Sequence, residues 1–212
     1  MNFRKIVERG YEEGDYAGEF RASSLPDKQT LRLLNVITGA LPSEGKILDF
    51  GCGTRKPVDL WLAKNGFAIT GMDISQKHID SAKENVPAGK FLKGDFSAFD
   101  FGRRRFDAII SLYAIFHIPR AEHKMLFAKM AALLKKDGLL LVTLGSCGVR
   151  RAMDKNWCGA LMVWSSYFSH TYRRMLRESG FSMLHEEFEG NPGDAEHHYW
   201  VLAQKTTASA RR

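Results

Sequence analysis

The chain has 212 residues, 44% of them hydrophobic, with a formal net charge of +7. That length buries one sizeable core, and three cysteines (Cys52, Cys147 and Cys158) without paired spacing argue against a disulfide framework or a structural zinc site. Met1 to Arg9 lacks the apolar run of a signal peptide and no stretch has the length of a bilayer-spanning helix, so a soluble, cytoplasmic protein is expected.

Residues 1–25 set Tyr11, Tyr16, Phe20 and Arg21 among Glu12, Glu13, Asp15 and Glu19, which predicts a weak helix or a flap. Pro26-Asp27 opens a helix whose apolar stripe is Leu33, Leu34, Ile37 and Leu41, and Pro42 stops it. Lys46 to Phe50 reads as a short buried strand. The glycines of Gly51-Cys52-Gly53-Thr54 then let the backbone turn tightly against a ligand before a helix begins near Pro57. Val58 to Ala63 suits a helix closed by Asn65-Gly66, and Phe67 to Met72 a second strand ended by Asp73-Ile74-Ser75. A short helix over 76–85 leads to the brief strand Phe91-Leu92 and to Gly94-Asp95-Phe96.

Phe106 to Ser111 is nearly all apolar after Asp107, as in a strand covered on both faces. Pro119 is expected to begin a long helix with the stripe Leu126, Met130, Leu133 and Leu134, ended by Asp137-Gly138 before the strand Leu139 to Leu144. Such alternation implies right-handed crossovers and a parallel sheet with helices on both faces. From 145 to 170 the pattern lapses into an aromatic-rich connection carrying Trp157, Trp164, Tyr167 and Phe168, too long for a simple turn. Tyr172 to Gly180 reads as a helix, and Phe181 to Phe188 and His198 to Gln204 as two strands around Gly190-Asn191-Pro192-Gly193. One domain over 1–205 is expected, with 1–41 as N-terminal flap and helix and 206–212 as a frayed tail.

Asp49-Phe50-Gly51-Cys52-Gly53-Thr54, with Asp73 ending the second strand and Gly94-Asp95-Phe96 following the third, resembles the class I S-adenosylmethionine-dependent methyltransferases. The resemblance runs from about Lys46 to Lys205. It implies an α/β, Rossmann-like doubly wound fold: a mostly parallel seven-stranded sheet closed by a C-terminal antiparallel hairpin. It also implies S-adenosylmethionine as cofactor and S-adenosylhomocysteine as product. Asp73 lies 22 residues after Gly51, where an acidic side chain can accept from two ribose hydroxyls; the alternative is a helix cap. The resemblance further gives Asp95 to the adenine amino group, with Phe96 or Ile74 against the ring, where a turn aspartate beside a core phenylalanine is the other reading. In relatives the residue at Asp49 orders the turn and faces the cofactor's ammonium. Gly51, Cys52, Gly53 and Ser111 complete the expected cofactor contacts, and Arg21 is a candidate for its carboxylate.

A dinucleotide fingerprint needs a third glycine where Lys56 stands, and a P-loop needs Gly-Lys-Ser/Thr, so both are set aside. Relatives usually carry glycine where this chain has Arg55. The arginine either strains or fills the turn, or grips the methionine carboxylate in a bidentate pair. His117, after the fourth strand, is the candidate general base; a loop histidine bonded to backbone is the competing account. Tyr113, Trp164, Tyr167 and His170 are assigned to a substrate lid over 145–170. No metal is expected, since His197 and His198 are adjacent and point to opposite faces of a strand.

The function read from this pattern is methyl transfer to a small-molecule acceptor. An RNA or protein methyltransferase is the first alternative, prompted by Arg103-Arg104-Arg105, Arg150-Arg151 and Arg173-Arg174, although no RNA-binding motif accompanies them. A non-catalytic cofactor-binding or scaffold protein, with a pocket altered by Arg55, is the second.

Overall fold

Short apolar runs separated by amphipathic stretches build a sheet between helices in the computed structural model, which describes residues 2–20, 23, 25–54, 57–191 and 197–206. In chain order the elements are α1 (Phe3–Glu13), α2 (Tyr16–Phe20), α3 (Lys28–Ala40), β1 (Lys46–Phe50), α4 (Val58–Lys64), β2 (Ala68–Asp73), α5 (Gln76–Asn85) and β3 (Lys90–Lys93). Then come β4 (Phe106–Ser111), α6 (His123–Leu133), β5 (Leu134–Gly145), β6 (Ala152–Trp157), β7 (Ala160–Trp164), α7 (Ser169–Glu178), β8 (Phe181–Glu189) and β9 (His198–Lys205).

Among the described residues seven strands form one sheet in the order β3-β2-β1-β4-β5-β9-β8. Pairing is parallel from β3 through β5, and β9 runs antiparallel to both β5 and β8. The predicted doubly wound sheet with a closing hairpin is therefore the observed fold. Neighbouring residues of β1 and β4 feed opposite cores: Leu48, Phe50 and Ile109 lie on one face, Ile47, Ala108 and Ile110 on the other. Burial on both faces is why these strands read as continuous apolar runs rather than as alternation. Each fully buried Leu or Ile contributes about 1.5–3 kcal/mol, so the sheet is a stiff platform for the turns at its edge. No helix among the described residues is long and apolar enough to cross a membrane.

Three sequence expectations need correction. The segment after Pro119 does not enter an α-helix directly: Pro119 is extended (φ −53°, ψ 124°), a 3-10 turn follows over Arg120–Glu122, and α6 starts at His123. The strand expected to begin at Leu139 begins at Leu134, where it pairs with Phe106 across an irregular register. Finally, the connection over 145–170 contains a second, two-stranded antiparallel sheet, β6 with β7. Cys158 (φ 49°) and Gly159 (φ 84°) both take the left-handed conformation that a two-residue hairpin turn demands. The exposed face of β6 and a cysteine in that turn hide this hairpin from a reading by pattern.

Candidate cofactor cleft

Where the chain leaves β1 for β2 on one side and later returns at β4 on the other, the sheet's carboxyl edge opens a crevice. The β1 turn sits in it. Gly51 (φ 75°) and Cys52 donate their N–H groups to the Met72 carbonyl at 2.9 and 3.0 Å, and a Cβ on Gly51 would collide with that of Ala114. Glycine is required there for both reasons. Gly53 (φ 54°) donates its N–H to Asp73 Oδ2 at 2.8 Å, so the turn and the second strand's terminal carboxylate are one unit.

The cleft has a volume of about 430 Å³, and Asp49, Asp59, Asp73 and Asp95 line it together with Gly51, Cys52, Gly53, Ile74 and Phe96. Asp73 Oδ1 accepts from the Ser75 N–H at 2.9 Å, and His78 Nδ1 lies 3.4 Å from the same oxygen. Burial pushes the Asp73 carboxyl up, but His78 and the Ser75 and Gly53 N–H groups outweigh it and hold the acid below its ordinary range. Asp73 is not the helix cap; Ser75 is, accepting from the His78 N–H at 3.1 Å. A carboxylate offers about four lone-pair directions, and backbone N–H groups use two of those on Asp73.

Asp95 is similarly arranged. Its Oδ1 accepts from the Ser97 N–H (2.9 Å) and hydroxyl (2.6 Å), and its Oδ2 pairs with the Arg4 guanidinium. Burial opposes ionisation, yet the Ser97 hydroxyl, Arg4 and the Ser97 N–H hold this carboxyl low too. The loop carrying Asp95 is pinned by Lys129 on α6, whose ammonium donates to the carbonyls of Phe96 (2.8 Å), Ser97 (3.0 Å) and Phe99 (2.6 Å). Hydrogen bonds to charged groups contribute about 1.5–3 kcal/mol each in general. Lys129→Met is therefore expected to loosen the 94–99 loop and weaken ligand binding about tenfold by calorimetry while leaving the bottom of the cleft intact.

His117 ends a 3-10 turn over Ile115–His117 and lines the cleft while being buried. Its Nδ1 faces the Val163 carbonyl at 3.0 Å. A carbonyl can only accept, so the neutral ring carries its proton on Nδ1 and its lone pair on Nε2. Burial drives its pKa down to about 4, more than the Val163 hydrogen bond raises it. His123, outside the cleft, is set by the same logic: Nε2 donates to the Ile118 carbonyl (3.0 Å), Nδ1 accepts from the Tyr172 hydroxyl (3.0 Å), and burial lowers it to about 4. Both folded-state values lie below the unfolded value near 6.5, so the stability they carry is complete above pH ~6.5 and is lost as pH falls toward 4. For shifts of this size the loss is roughly 3 kcal/mol per histidine. Denaturant melts between pH 7 and 4.5 check this, and a His123→Phe variant is expected to show a shallower decline.

Of the remaining predicted site residues, Tyr113 lines the cleft in a left-handed conformation (φ 56°), held by its hydroxyl on Glu189 at 2.8 and 3.0 Å. Trp200 Nε1 also donates to Glu189 at 3.0 Å. Burial pushes the Glu189 carboxyl up, but hydrogen bonds from His198, Trp200 and Tyr113 bring it down to about 2. Ser111 is fully buried, and its hydroxyl donates to the Phe50 carbonyl at 2.9 Å; it ties β4 to β1 and does not line the cleft. Trp164 is not a wall residue either, although its ring centroid is 6.0 Å from that of His117. Tyr167 packs against Tyr172 and under Arg120, and the exposed His170 stacks on Phe168; neither lines the cleft. Of the residues assigned to the substrate lid, Tyr113 lines the cleft and Trp164, Tyr167 and His170 do not; Tyr11 and Tyr16 of the N-terminal segment line it as well. Arg21 and Arg55 lie outside the described residues.

The sequence reading missed Arg4, His78, Lys129 and Glu189. A signal existed for Arg4, since Arg4, Glu8 and Glu12 recur every four residues alongside the apolar stripe Ile6, Val7 and Tyr11. None of the others carries a local pattern.

A family model described as a methyltransferase domain matches residues 19–186. YqeM of Bacillus subtilis is 29% identical over 110 residues, covering 50% of this chain and 44% of that protein. The chain spans less than half the length of the first curated relatives it matches. Among solved structures, magnesium protoporphyrin IX methyltransferase from Synechocystis PCC 6803 with bound SAM superposes with a TM-score of 0.71 at 17% identity, over 97% of this chain and 98% of that one. A Burkholderia thailandensis 1,6-didemethyltoxoflavin-N1-methyltransferase, with bound 1,6-didemethyltoxoflavin and S-adenosylhomocysteine, gives 0.70 at 19% identity, over 96% and 87%.

Proposed function

Because the chain belongs to the class I S-adenosylmethionine-dependent methyltransferases, we propose that it transfers the methyl group of S-adenosylmethionine to a small-molecule acceptor in this cleft. The carrying observation is that Asp49, Asp73 and Asp95, at or just beyond the ends of three neighbouring strands, line one cleft together with the glycine turn. A row of carboxylates complements a cationic ligand and repels a pyrophosphate. The donor arithmetic fits as well. With the Gly53 and Ser75 N–H groups and the nearby His78 Nδ1 counted, Asp73 keeps at least one lone-pair direction for a ribose hydroxyl, and Asp95 keeps one for the single adenine amino group after Ser97 and Arg4 take three.

When bound, S-adenosylmethionine supplies an electrophilic methyl whose leaving group is a neutral thioether, so no strong acid is required. The chain's own residues must align the acceptor and take its proton. His117 suits the proton transfer, because Val163 fixes its tautomer and Nε2 stays unprotonated at neutral pH. A base this weak is matched to an acceptor whose proton becomes acidic as its bond to the methyl carbon forms. Small-molecule acceptors are named for the two structural relatives above, which supports the same class here.

Calorimetry with S-adenosylmethionine and S-adenosylhomocysteine tests the reading. One-to-one binding is expected, with a stabilisation of about 2.7 kcal/mol at a hundredfold excess over the dissociation constant. Absence of heat and of any melting shift with both ligands overturns it.

A further inference from the structure

The N-terminal helix is amphipathic in an unusual way, because its apolar and polar stripes dock on different parts of the molecule. Ile6, Val7 and Tyr11 pack with Met162 and Val163 of β7 into a hydrophobic cluster separate from the two that sandwich the sheet. Gly10 admits the close approach: a Cβ there would press on the Leu161 carbonyl oxygen at 2.7 Å. Just past the helix, the Asp15 N–H donates to the Cys158 carbonyl at 2.9 Å in the hairpin turn. Helix and hairpin thus share a small core of their own.

The neighbouring charged stripe meets the rim of the cleft. Arg4 pairs with Asp95 and Glu122 and donates to the Ser97 hydroxyl at 2.8 Å. Glu8 pairs with Lys93 at 3.0 Å, and the Glu12 carboxylate accepts from the N–H groups of Gln76 and Lys77 at the start of α5. Carboxylates at a helix N-terminus and ion pairs of this exposure are held by electrostatics that salt weakens. Arg4, Val7 and Tyr11 line the cleft, so the helix roofs it.

We propose that α1 and the β6–β7 hairpin form one cover over the cleft and that Arg4 is a positioning residue that serves as its catch. Arg4 bridges Glu122, which stands outside the cleft, to Asp95, the carboxylate given above to adenine. It thereby orients Asp95 from the cover, and closing the cover and completing the adenine site become the same event. A ligand held by Asp95 stays trapped while the catch is shut. The adenine half of this inference rests on the methyltransferase reading; the cover does not.

Amide hydrogen exchange on the ligand-free full chain tests the cover, with Arg4→Met, which keeps the apolar stem, and Glu122→Gln, which leaves every cleft-lining residue in place. Both variants are expected to speed exchange in α1 and in β6–β7 together by about tenfold, with β1 and β4 unchanged, and high salt is expected to do the same to the parent chain. Stopped-flow release of S-adenosylhomocysteine is expected to quicken by about tenfold in Glu122→Gln. Unchanged exchange in both variants overturns the catch, and faster exchange in α1 without the hairpin overturns the single cover. Faster exchange with unaltered release overturns the link to Asp95. If the parent chain does not bind S-adenosylhomocysteine, the function and the link fail, and the exchange data still decide the cover.

Discussion

Replacing Asp73 with alanine is expected to weaken S-adenosylhomocysteine binding by at least about a hundredfold. Hydrogen bonds from ribose hydroxyls to a charged acceptor contribute roughly 1.5–3 kcal/mol each, and the second-strand carboxylate is the acceptor proposed for them. The substitution also strips the Gly53 and Ser75 N–H groups of their acceptor, at about 1–3 kcal/mol for each group left buried and unsatisfied. The Asp73→Ala protein is therefore expected to melt lower and the glycine turn to lose its register. Asp73→Asn separates the effects: it keeps one acceptor oxygen and the shape, so it recovers more of the stability than of the affinity. Calorimetry beside a denaturant melt reads both, and an Asp73→Ala affinity within a few-fold of the parent's contradicts the ribose role.

The second large effect is expected at His117. His117→Asn removes the lone pair on Nε2 while leaving an amide nitrogen, bonded to Cγ as Nδ1 is, that can still donate to the Val163 carbonyl. With an acceptor in hand, kcat is expected to fall by about 10²–10⁴-fold, the usual range for losing a positioned general base, with cofactor affinity little changed. The pH profile carries the sign. The base works unprotonated and its pKa is about 4, so the parent rate is flat through neutrality and falls only as pH drops toward that value. A profile with its acid limb near 6.5, or a variant within threefold of the parent, contradicts the assignment.

The fold was legible because its inner strands are covered on both faces. Ile47, Leu48, Phe50 and Ala108 to Ile110 are apolar and fully buried, and glycines and a helix-capping serine punctuate the turns between strands. The strand-end carboxylates were legible for a related reason: a buried Asp at the end of an apolar run, such as Asp73, has few uses apart from a ligand or a turn. The hairpin β6–β7 was not legible, since Cys158 adopts a positive φ that its residue type does not announce. Nor were long-range partners such as Lys129 with the 96–99 carbonyls or Glu189 with Tyr113 and Trp200, because nothing in local spacing marks a contact made across the chain. The aromatic residues of 164–170 pose the opposite difficulty. Tyr167 looks like a binding residue, and its partly buried ring lies under Arg120 and against Tyr172.

The central claim is that one ring of carboxylates at the sheet's edge holds an adenosyl group beside the glycine turn. A crystal structure of the chain with S-adenosylhomocysteine tests it most directly. Both ribose hydroxyls within hydrogen-bonding distance of Asp73, with the adenine amino group on Asp95 beneath Arg4, is the predicted result. A nucleoside seated away from Asp73, or a cleft that stays filled by α1 with the ligand elsewhere, would contradict it.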